Sequence, residues 1–352
     1  VEQIQAQLFK EFSYKTDRKP NPYLERLNSF SYEKLCAPKF KLISLFCGGG
    51  GLDLGLGFAG FESLVVSDLI PSFVNTVTHN MPFAKGLSED ALKLTGEKLL
   101  KLAGTEEIDL VAAGPPCQAF SILGRRGALN DPRGKLALKY FELVNEIKPK
   151  AFLFENVPGL LTVNKGLDWK HLIDFAKDIT GYHLYYTKLN AVNFGIPQFR
   201  ERVVVVGFRN KVDFEFPLSK ISPLDSFSPS MWALEDVNGL PNHDIRIHGE
   251  RVRNRYQNIL PGGRDVIDHT DRIHPDKPSG TVLVGSSAGG GRPHIHPFEP
   301  RVITVREGAR LQSFPDWYQF TGPGTSQYRQ IGNAVPPLLA YEVGKKIAAA
   351  LS

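Results

Sequence analysis

The chain has 352 residues, 42% of them hydrophobic, enough for one large domain and a smaller one. Its formal charge of +5 is mild and by itself signifies only ordinary solubility. Three widely spaced cysteines argue against a disulfide framework, the lack of a Cys-x-x-Cys excludes a zinc ribbon, and no apolar stretch approaches the ~20 residues of a transmembrane helix. The first residues, Val1 to Gln7, lack the basic-then-apolar pattern of a signal peptide, so a reducing, cytoplasmic setting is expected.

Residues 1–38 are polar and partly helical in pattern, punctuated by Pro20, Pro22 and Pro38, and read as an N-terminal arm without chemistry of its own. From Phe40 the pattern alternates. A strand over 40–46 runs into a glycine loop and a helix to about Ala59, and a second strand over 63–67 ends at Asp68. Further strands are expected over 108–113, 151–154, 184–189 and 202–208, with helices over 136–147 and 167–179. This alternation predicts an α/β sheet covered by helices on both faces. After Arg209 it stops. Residues 210–300 are rich in Pro, Gly, His and Arg, with a short strand expected over 281–284, and read as an irregular inserted domain. Helical patterns return over 305–312 and 337–350, the last expected to dock back on the sheet domain.

The most telling segment is Gly114-Pro115-Pro116-Cys117-Gln118-Ala119-Phe120-Ser121. Two prolines make a stiff exit from the preceding strand, so the thiol is presented on a rigid turn at the carboxyl edge of the sheet. Open α/β folds place their active sites at that edge. Cys117 is therefore a candidate nucleophile, whereas Cys36 and Cys47 read as packing. Glu155 ends another apolar strand at the same edge. Desolvation there raises a carboxyl pKa and lets the group hold a proton near neutrality, which suits covalent attack on a ring that must be protonated elsewhere. A strand-end carboxylate that merely caps a turn is the commoner alternative. Arg200 and Arg202 alternate at the start of the next strand and share one face, fit for an anionic or carbonyl-bearing substrate or for a local salt bridge.

The loop Phe46-Cys47-Gly48-Gly49-Gly50-Gly51 follows a strand and opens a helix, which lets a nucleotide-like ligand approach the backbone closely. Asp68, at the end of the next strand, is placed to accept from ribose hydroxyls. Gly55-Leu56-Gly57-Phe58-Ala59-Gly60 matches the dinucleotide-binding pattern but falls inside the expected helix, so its glycines read as close helix–sheet packing. The histidines lack metal-ligand spacing, and no metal site is expected. Ten arginines lie between Arg246 and Arg310, and such an arginine-rich, loop-like segment favours a polyanion partner.

Taken in order, these segments resemble the cytosine-C5 DNA methyltransferase family, of the prokaryotic restriction-modification type. Leu45 to Gly51 resembles its cofactor motif, Asp68 the ribose-binding acid, and Asp90 the acid that contacts the adenine amino group. Pro115-Pro116-Cys117-Gln118 resembles the nucleophile motif, Glu155-Asn156-Val157 the Glu-Asn-Val motif, and Gln198-x-Arg200-x-Arg202 the basic motif. Arg301 to Pro315 is similar to the helix behind the target-recognition region, and Gln330 to Pro337 to the final cofactor motif. Ser44 stands where the family often has Asp, and Asp68 where it often has Glu.

The resemblance implies a Rossmann-like S-adenosylmethionine-dependent α/β sheet with a smaller irregular target-recognition domain. The expected division is 1–39 arm, 40–209 catalytic and cofactor-binding domain, 210–316 target-recognition domain and 317–352 returning segment. It implies methyl transfer to C5 of a flipped-out cytosine in a short duplex DNA sequence, through a covalent Cys117–C6 adduct. Glu155, Arg200 and Arg202 would assist catalysis. Phe46, Gly48, Gly50, Gly51, Asp68, Asp90, Pro115 and Asn333 would hold S-adenosylmethionine, with Phe46 on the adenine and Asn333 near the methionine end. Gln118, Ser121, Arg251, Arg253, Arg264, Thr281 and Arg292 would meet the DNA. A monomer is expected, with any cognate restriction endonuclease acting separately. A tRNA cytosine-C5 methyltransferase and a non-catalytic paralogue are the competing readings, and a dinucleotide oxidoreductase is disfavoured by the misplaced glycines.

Overall fold

The apolar runs of the sequence pair edge to edge into a single sheet of seven strands among the described residues. The computed structural model describes residues 21–36, 38–116, 132–219, 227–283 and 293–352, with backbone alone at 36 and 132–134. The strands are β1 (Phe40–Leu45), β2 (Phe61–Asp68), β3 (Lys85–Ser88), β4 (Leu110–Ala113), β5 (Ala151–Asn156), β6 (His183–Asn190) and β7 (Glu201–Phe208). They stand in the order β3-β2-β1-β4-β5-β7-β6. Neighbours are parallel except at β7, which runs antiparallel to β5 and β6. Strand order reverses between β1 and β4, so their carboxyl ends open a crevice.

The helices are α1 (Pro22–Asn28), α2 (Gly51–Phe58), α3 (Pro71–Asn80), α4 (Gly96–Ala103), α5 (Pro132–Ile147), α6 (Leu167–Thr180), α7 (Met231–Leu234), α8 (Glu250–Gln257), α9 (Val305–Leu311), α10 (Gly324–Asn333) and α11 (Pro337–Leu351). Side chains alternate across each strand, which sorts the core into two layers. Leu42, Leu110, Leu153 and Val204 pack with Leu27, Leu54, Ala309 and Leu339 on one face. Ile43, Val111, Phe152 and Val205 pack with Leu99, Phe141 and Leu172 on the other. Strands buried on both faces must be apolar throughout, which is why 203–206 reads Val-Val-Val-Val. Among the described residues no helix is long and apolar enough to cross a membrane.

Two sequence expectations are corrected. The strand expected over 281–284 is not formed in residues 281–283, and residue 284 lies outside the described residues. Its polar groups go elsewhere: Val282 N donates to Gln198 Oε1 at 2.9 Å and Thr281 Oγ1 to the Phe199 carbonyl at 2.7 Å. Gly55 and Gly57 serve helix–helix rather than helix–sheet contacts. A Cβ on Gly55 would meet Ala340 Cβ of α11 at 2.5 Å, and one on Gly57 would meet Leu35 at 2.9 Å. The described part of the N-terminal arm packs on the body of the molecule. Tyr23 and Leu27 are buried, Tyr23 donates to the Arg310 carbonyl, and Phe30 accepts from Trp317 Nε1 at 2.8 Å.

Elements α3, β3, α4, α7, α8 and α10 lie where no element was expected. The signals for α4 were present: Thr95 Oγ1 accepts from Lys98 N, and Gly104 closes the helix at φ 75°.

The close approach of α2 and α11 makes Gly55→Val a direct test. Overpacking at that crossing is expected to cost about 2–3 kcal/mol. Urea unfolding should show a lower midpoint with unchanged slope, and an unaltered midpoint would contradict the packing described.

Candidate active site

The crevice at the β1/β4 switch point is a cavity of about 660 Å³, walled by the ends of β1, β2, β4 and β5 and by residues 332–335 after the C-terminal return. Backbone geometry shapes its floor. Phe46 is held at φ 54°, a left-handed conformation uncommon for a residue with a side chain, and it turns β1 sharply into the loop. Gly50 is at φ 77°, and a Cβ there would strike the hydroxyl of Tyr318. That hydroxyl donates to the Gly49 carbonyl at 2.8 Å, so the C-terminal return clamps the loop.

Asp68 fixes the loop from the β2 side. Its Oδ2 accepts from Gly48 N at 3.0 Å and its Oδ1 from Ile70 N at 3.0 Å, while burial pushes its pKa up against those bonds. Asp90 caps the turn after β3 by accepting from Leu92 N at 3.0 Å. Phe46, Gly48, Gly51, Asp68, Asp90, Pro115 and Asn333 all line the cavity; Gly50 does not, and serves the packing under Tyr318. Ile70, Phe73, Glu89 and Arg329 also line it and were not foreseen. No spacing in the sequence marks them; Phe73 and Arg329 meet only through the fold, as a guanidinium 5.7 Å over a ring.

The opposite wall carries charge. Arg202 Nε lies 2.6 Å from Glu155 Oε1, and both side chains are about nine-tenths buried. Burial raises the pKa of Glu155, while the charges of Arg202 and Arg200 oppose the rise. Both arginines were expected to assist catalysis beside Glu155, and the structure gives them different partners. Arg200 donates to three carbonyls, those of Val282, Gly332 and Ala334, at 3.1, 2.7 and 2.8 Å. Its Nη1 and Nη2 thus form an internal tie, while the residue also lines the cavity and its Nε has no protein partner.

Cys117, Gln118, Ser121 and Arg292 lie outside the described residues. The approach to Cys117 is described as far as Pro116. Asn156 Nδ2, at the end of β5, donates to the Pro115 carbonyl at 3.0 Å, so the Glu155 strand anchors the turn that leads to Cys117. Cys47 is buried, and burial together with Asp53 and Asp68 keeps its thiol protonated.

The arginine-rich segment divides in two. Arg255 pairs with Asp265 and Asp268, Arg272 donates to four carbonyls, and Arg301 pairs with Glu307. Arg306 and Arg310 are likewise bound internally. Arg246, Arg251, Arg253 and Arg264 face solvent, Arg264 with Asp271 at 3.5 Å. Five of the nine described arginines are therefore structural, a distinction that composition does not make. Of the described residues assigned to DNA contact, Thr281 lines the cavity, whereas Arg251, Arg253 and Arg264 do not.

Comparison with known proteins gives a consistent outcome. Residues 40–349 match the sequence model described as C-5 cytosine-specific DNA methylase. The type II methyltransferase M.XorII of Xanthomonas oryzae pv. oryzae is 35% identical over 362 residues, spanning 88% of this chain and 84% of that protein. The type II methyltransferase M.NgoFVII of Neisseria gonorrhoeae is 35% identical over 333 residues, spanning 88% and 86% respectively. The fold superposes on a prophage-encoded candidate DNA modification methyltransferase of E. coli with a TM-score of 0.73 and 26% identity, over 89% of this chain and 99% of that one.

Beneath the loop, Asp53 of α2 is fully buried, with Oδ1 3.3 Å from Ser63 Oγ and Oδ2 unpartnered. Burial raises its pKa to about 6, against the pull of the Ser44 and Ser63 hydroxyls. A raised carboxyl pKa means that the fold favours the protonated form. Its stabilising contribution is full below about pH 4 and is lost as pH rises through about 6. Above that, the ionised group costs up to about 3 kcal/mol. Asp53→Asn should therefore gain stability over wild type at pH 8 but not at pH 4. Equal differences in urea midpoint at both pH values would refute a buried neutral carboxyl.

Proposed function

This chain belongs to the C-5 cytosine-specific DNA methylase family, and we propose how its own residues carry out methyl transfer to C5 of cytosine in DNA. The cosubstrate is S-adenosylmethionine, which supplies an electrophilic methyl group when bound. The cavity suits it on chemical grounds. Two carboxylates, Asp68 and Asp90, line one side, the apolar body of Phe46 another, and a Cβ added at Gly48 would meet nothing within 4 Å. Phe46 would pack on the adenine, Asp90 accept from its amino group, Asp68 face the ribose, and Asn333 lie towards the methionine end.

The observation that carries the reading is the buried Glu155–Arg202 pair at the cavity wall, with Asn156 anchoring the turn towards Cys117. Cys117 Sγ bonds to C6 of a cytosine swung out of the duplex. Glu155, kept readily protonated by burial, shares a proton with N3 and accepts from the exocyclic amine, so that the electrons of the C5–C6 bond become available at C5. Arg202 holds the carboxyl in place and steadies the base. As C5 bonds to the methyl carbon, the bond from that carbon to sulfur would break and leave S-adenosylhomocysteine; C5 then gives its proton to solvent, the C5–C6 double bond re-forms, the Sγ–C6 bond breaks and the thiolate returns. Flipping the base costs a few kcal/mol, which phosphate contacts from the solvent-facing arginines, including Arg251, Arg253 and Arg264, would offset.

Residues 40–209 with the returning segment 317–352 form the catalytic part of this proposal, and 210–316 the target-recognition part, reached from the arm 1–39. Helix α9 bridges the two, since Val305, Ala309 and Leu311 share the sheet's core. We further place the protein in the cytoplasm as a monomeric modification enzyme, with a cognate restriction endonuclease acting apart from it.

The test uses wild type, Cys117→Ser and Glu155→Gln with tritiated S-adenosylmethionine, offered duplex DNA and tRNA, followed by bisulfite mapping. Label is expected in DNA at one short motif, absent for Cys117→Ser and slowed about 10²–10⁴-fold for Glu155→Gln. Label in tRNA alone would move the enzyme to the RNA branch. Bound cofactor without label in either would make it a non-catalytic paralogue.

A further inference from the structure

Arg200 is 1% exposed and places one guanidinium between two separate stretches of chain. Its Nη1 donates to the Val282 carbonyl at 3.1 Å, and its Nη2 donates to the carbonyls of Gly332 and Ala334 at 2.7 and 2.8 Å. The first stretch, 279–283, is zipped to the approach to β7. Ser279 N donates to the Pro197 carbonyl at 3.0 Å, Phe199 N to the Ser279 carbonyl at 2.9 Å, and Val282 N to Gln198 Oε1 at 2.9 Å. The second stretch flanks Asn333 at the end of α10. Both stretches line the same cavity, Thr281 to Leu283 on one side and Gly332 to Val335 on another.

We propose that Arg200 is a positioning residue that couples occupancy of the DNA side of this cavity to occupancy of its cofactor side. The inference rests on the reading above, in which the 281–283 side takes DNA and the 332–335 side takes S-adenosylmethionine. A guanidinium is planar and its donors form a rigid fork, so the three carbonyls can be served together in one relative placement only. It is also desolvated, and every carbonyl it loses leaves a buried cation less well compensated. A ligand that fixes one stretch thereby fixes the guanidinium, which in turn favours the placement of the other. The coupling is reciprocal by thermodynamic necessity. Arg202, two residues on, contacts Glu155 instead, so the two neighbouring cations divide base-holding from coupling.

The experiment measures S-adenosylhomocysteine affinity by calorimetry with and without duplex DNA carrying the mapped site, in wild type and Arg200→Lys. Hydrogen exchange at 279–283 and 330–336 is followed in parallel. Lysine keeps the charge but not the fork. Wild type should bind S-adenosylhomocysteine about tenfold more tightly with DNA present, and Arg200→Lys should reduce that ratio to under about twofold. In wild type, DNA should slow exchange at 330–336 and S-adenosylhomocysteine should slow it at 279–283. In the variant each ligand should protect its own stretch alone. An equal loss of S-adenosylhomocysteine affinity with and without DNA would mean a merely structural role and overturn the proposal. Wild type that binds both ligands without cross-protection would overturn it irrespective of how the variant folds. Failure of wild type to bind either ligand would instead overturn the reading on which the proposal stands.

Discussion

The crevice exists because the chain's C-terminal return lies directly on the glycine loop. At Gly49 a Cβ would meet Gln330 at 2.9 Å, and at Gly51 it would meet the Val335 carbonyl and, at 3.1 Å, Ala334 and Phe314. Tyr318 Oη reaches down to the Gly49 carbonyl. No side chain fits between these layers. The loop is therefore pressed from above by 314–335 and held from the side by Asp68, and its strained entry at Phe46 persists because the surroundings over-determine it. A cavity wall made of two sequence-distant segments follows, and with it the need for something to keep those segments in register.

That need is met by charges kept away from water. A guanidinium transferred into a protein interior is costly unless its donors are all engaged. Arg272 and Arg306 solve this with backbone carbonyls in place of carboxylates, Arg200 does so through Nη1 and Nη2 but keeps a buried Nε without a protein partner, and burial lowers the pKa of all three. Carbonyl partners suit joints between irregular segments, because a loop has carbonyls left over from any ladder. The same logic accounts for Glu155. Its partner Arg202 is close enough to hold it but does not abolish the rise in its pKa, so the carboxyl stays within reach of a proton.

The sequence was most legible where a strand had to be buried on both faces. The runs at 40–45, 110–113, 151–156 and 201–208 announce themselves as apolar, and residues at their termini, Phe46 and Glu155 at carboxyl ends and Arg202 at the start of the antiparallel β7, reach one crevice. The short edge strand β3, Lys-Gly-Leu-Ser, has no such burden and carried no signal. The strand expected over 281–284 failed for a related reason: its apolar residues are real, but Val282 is served by a side chain and not by a neighbouring strand. Arginine count pointed to a polyanion partner, in keeping with the family, but not to the residues that could meet it. Composition cannot tell a guanidinium that faces solvent from one that ties carbonyls together, because that depends on where distant loops end.

This division bears on how specificity arises. Only cations that are not fully engaged can neutralise phosphates, and among the described residues of 246–310 those are Arg246, Arg251, Arg253, Lys277 and Arg264, the last shared with Asp271. Phosphate contacts fix orientation and carry no sequence information. Base reading must then come from short segments held rigidly beside the cavity, since each base-edge hydrogen bond needs its donor fixed before the DNA arrives. The 279–283 stretch meets that requirement. It is tied to Pro197, Gln198, Phe199 and Arg200 at successive positions, and it presents Thr281 and the exposed Leu283 at the cavity rim. On the proposed reading, the internal arginines would serve recognition indirectly, by making the irregular half of the molecule stiff enough for a few outward side chains to discriminate.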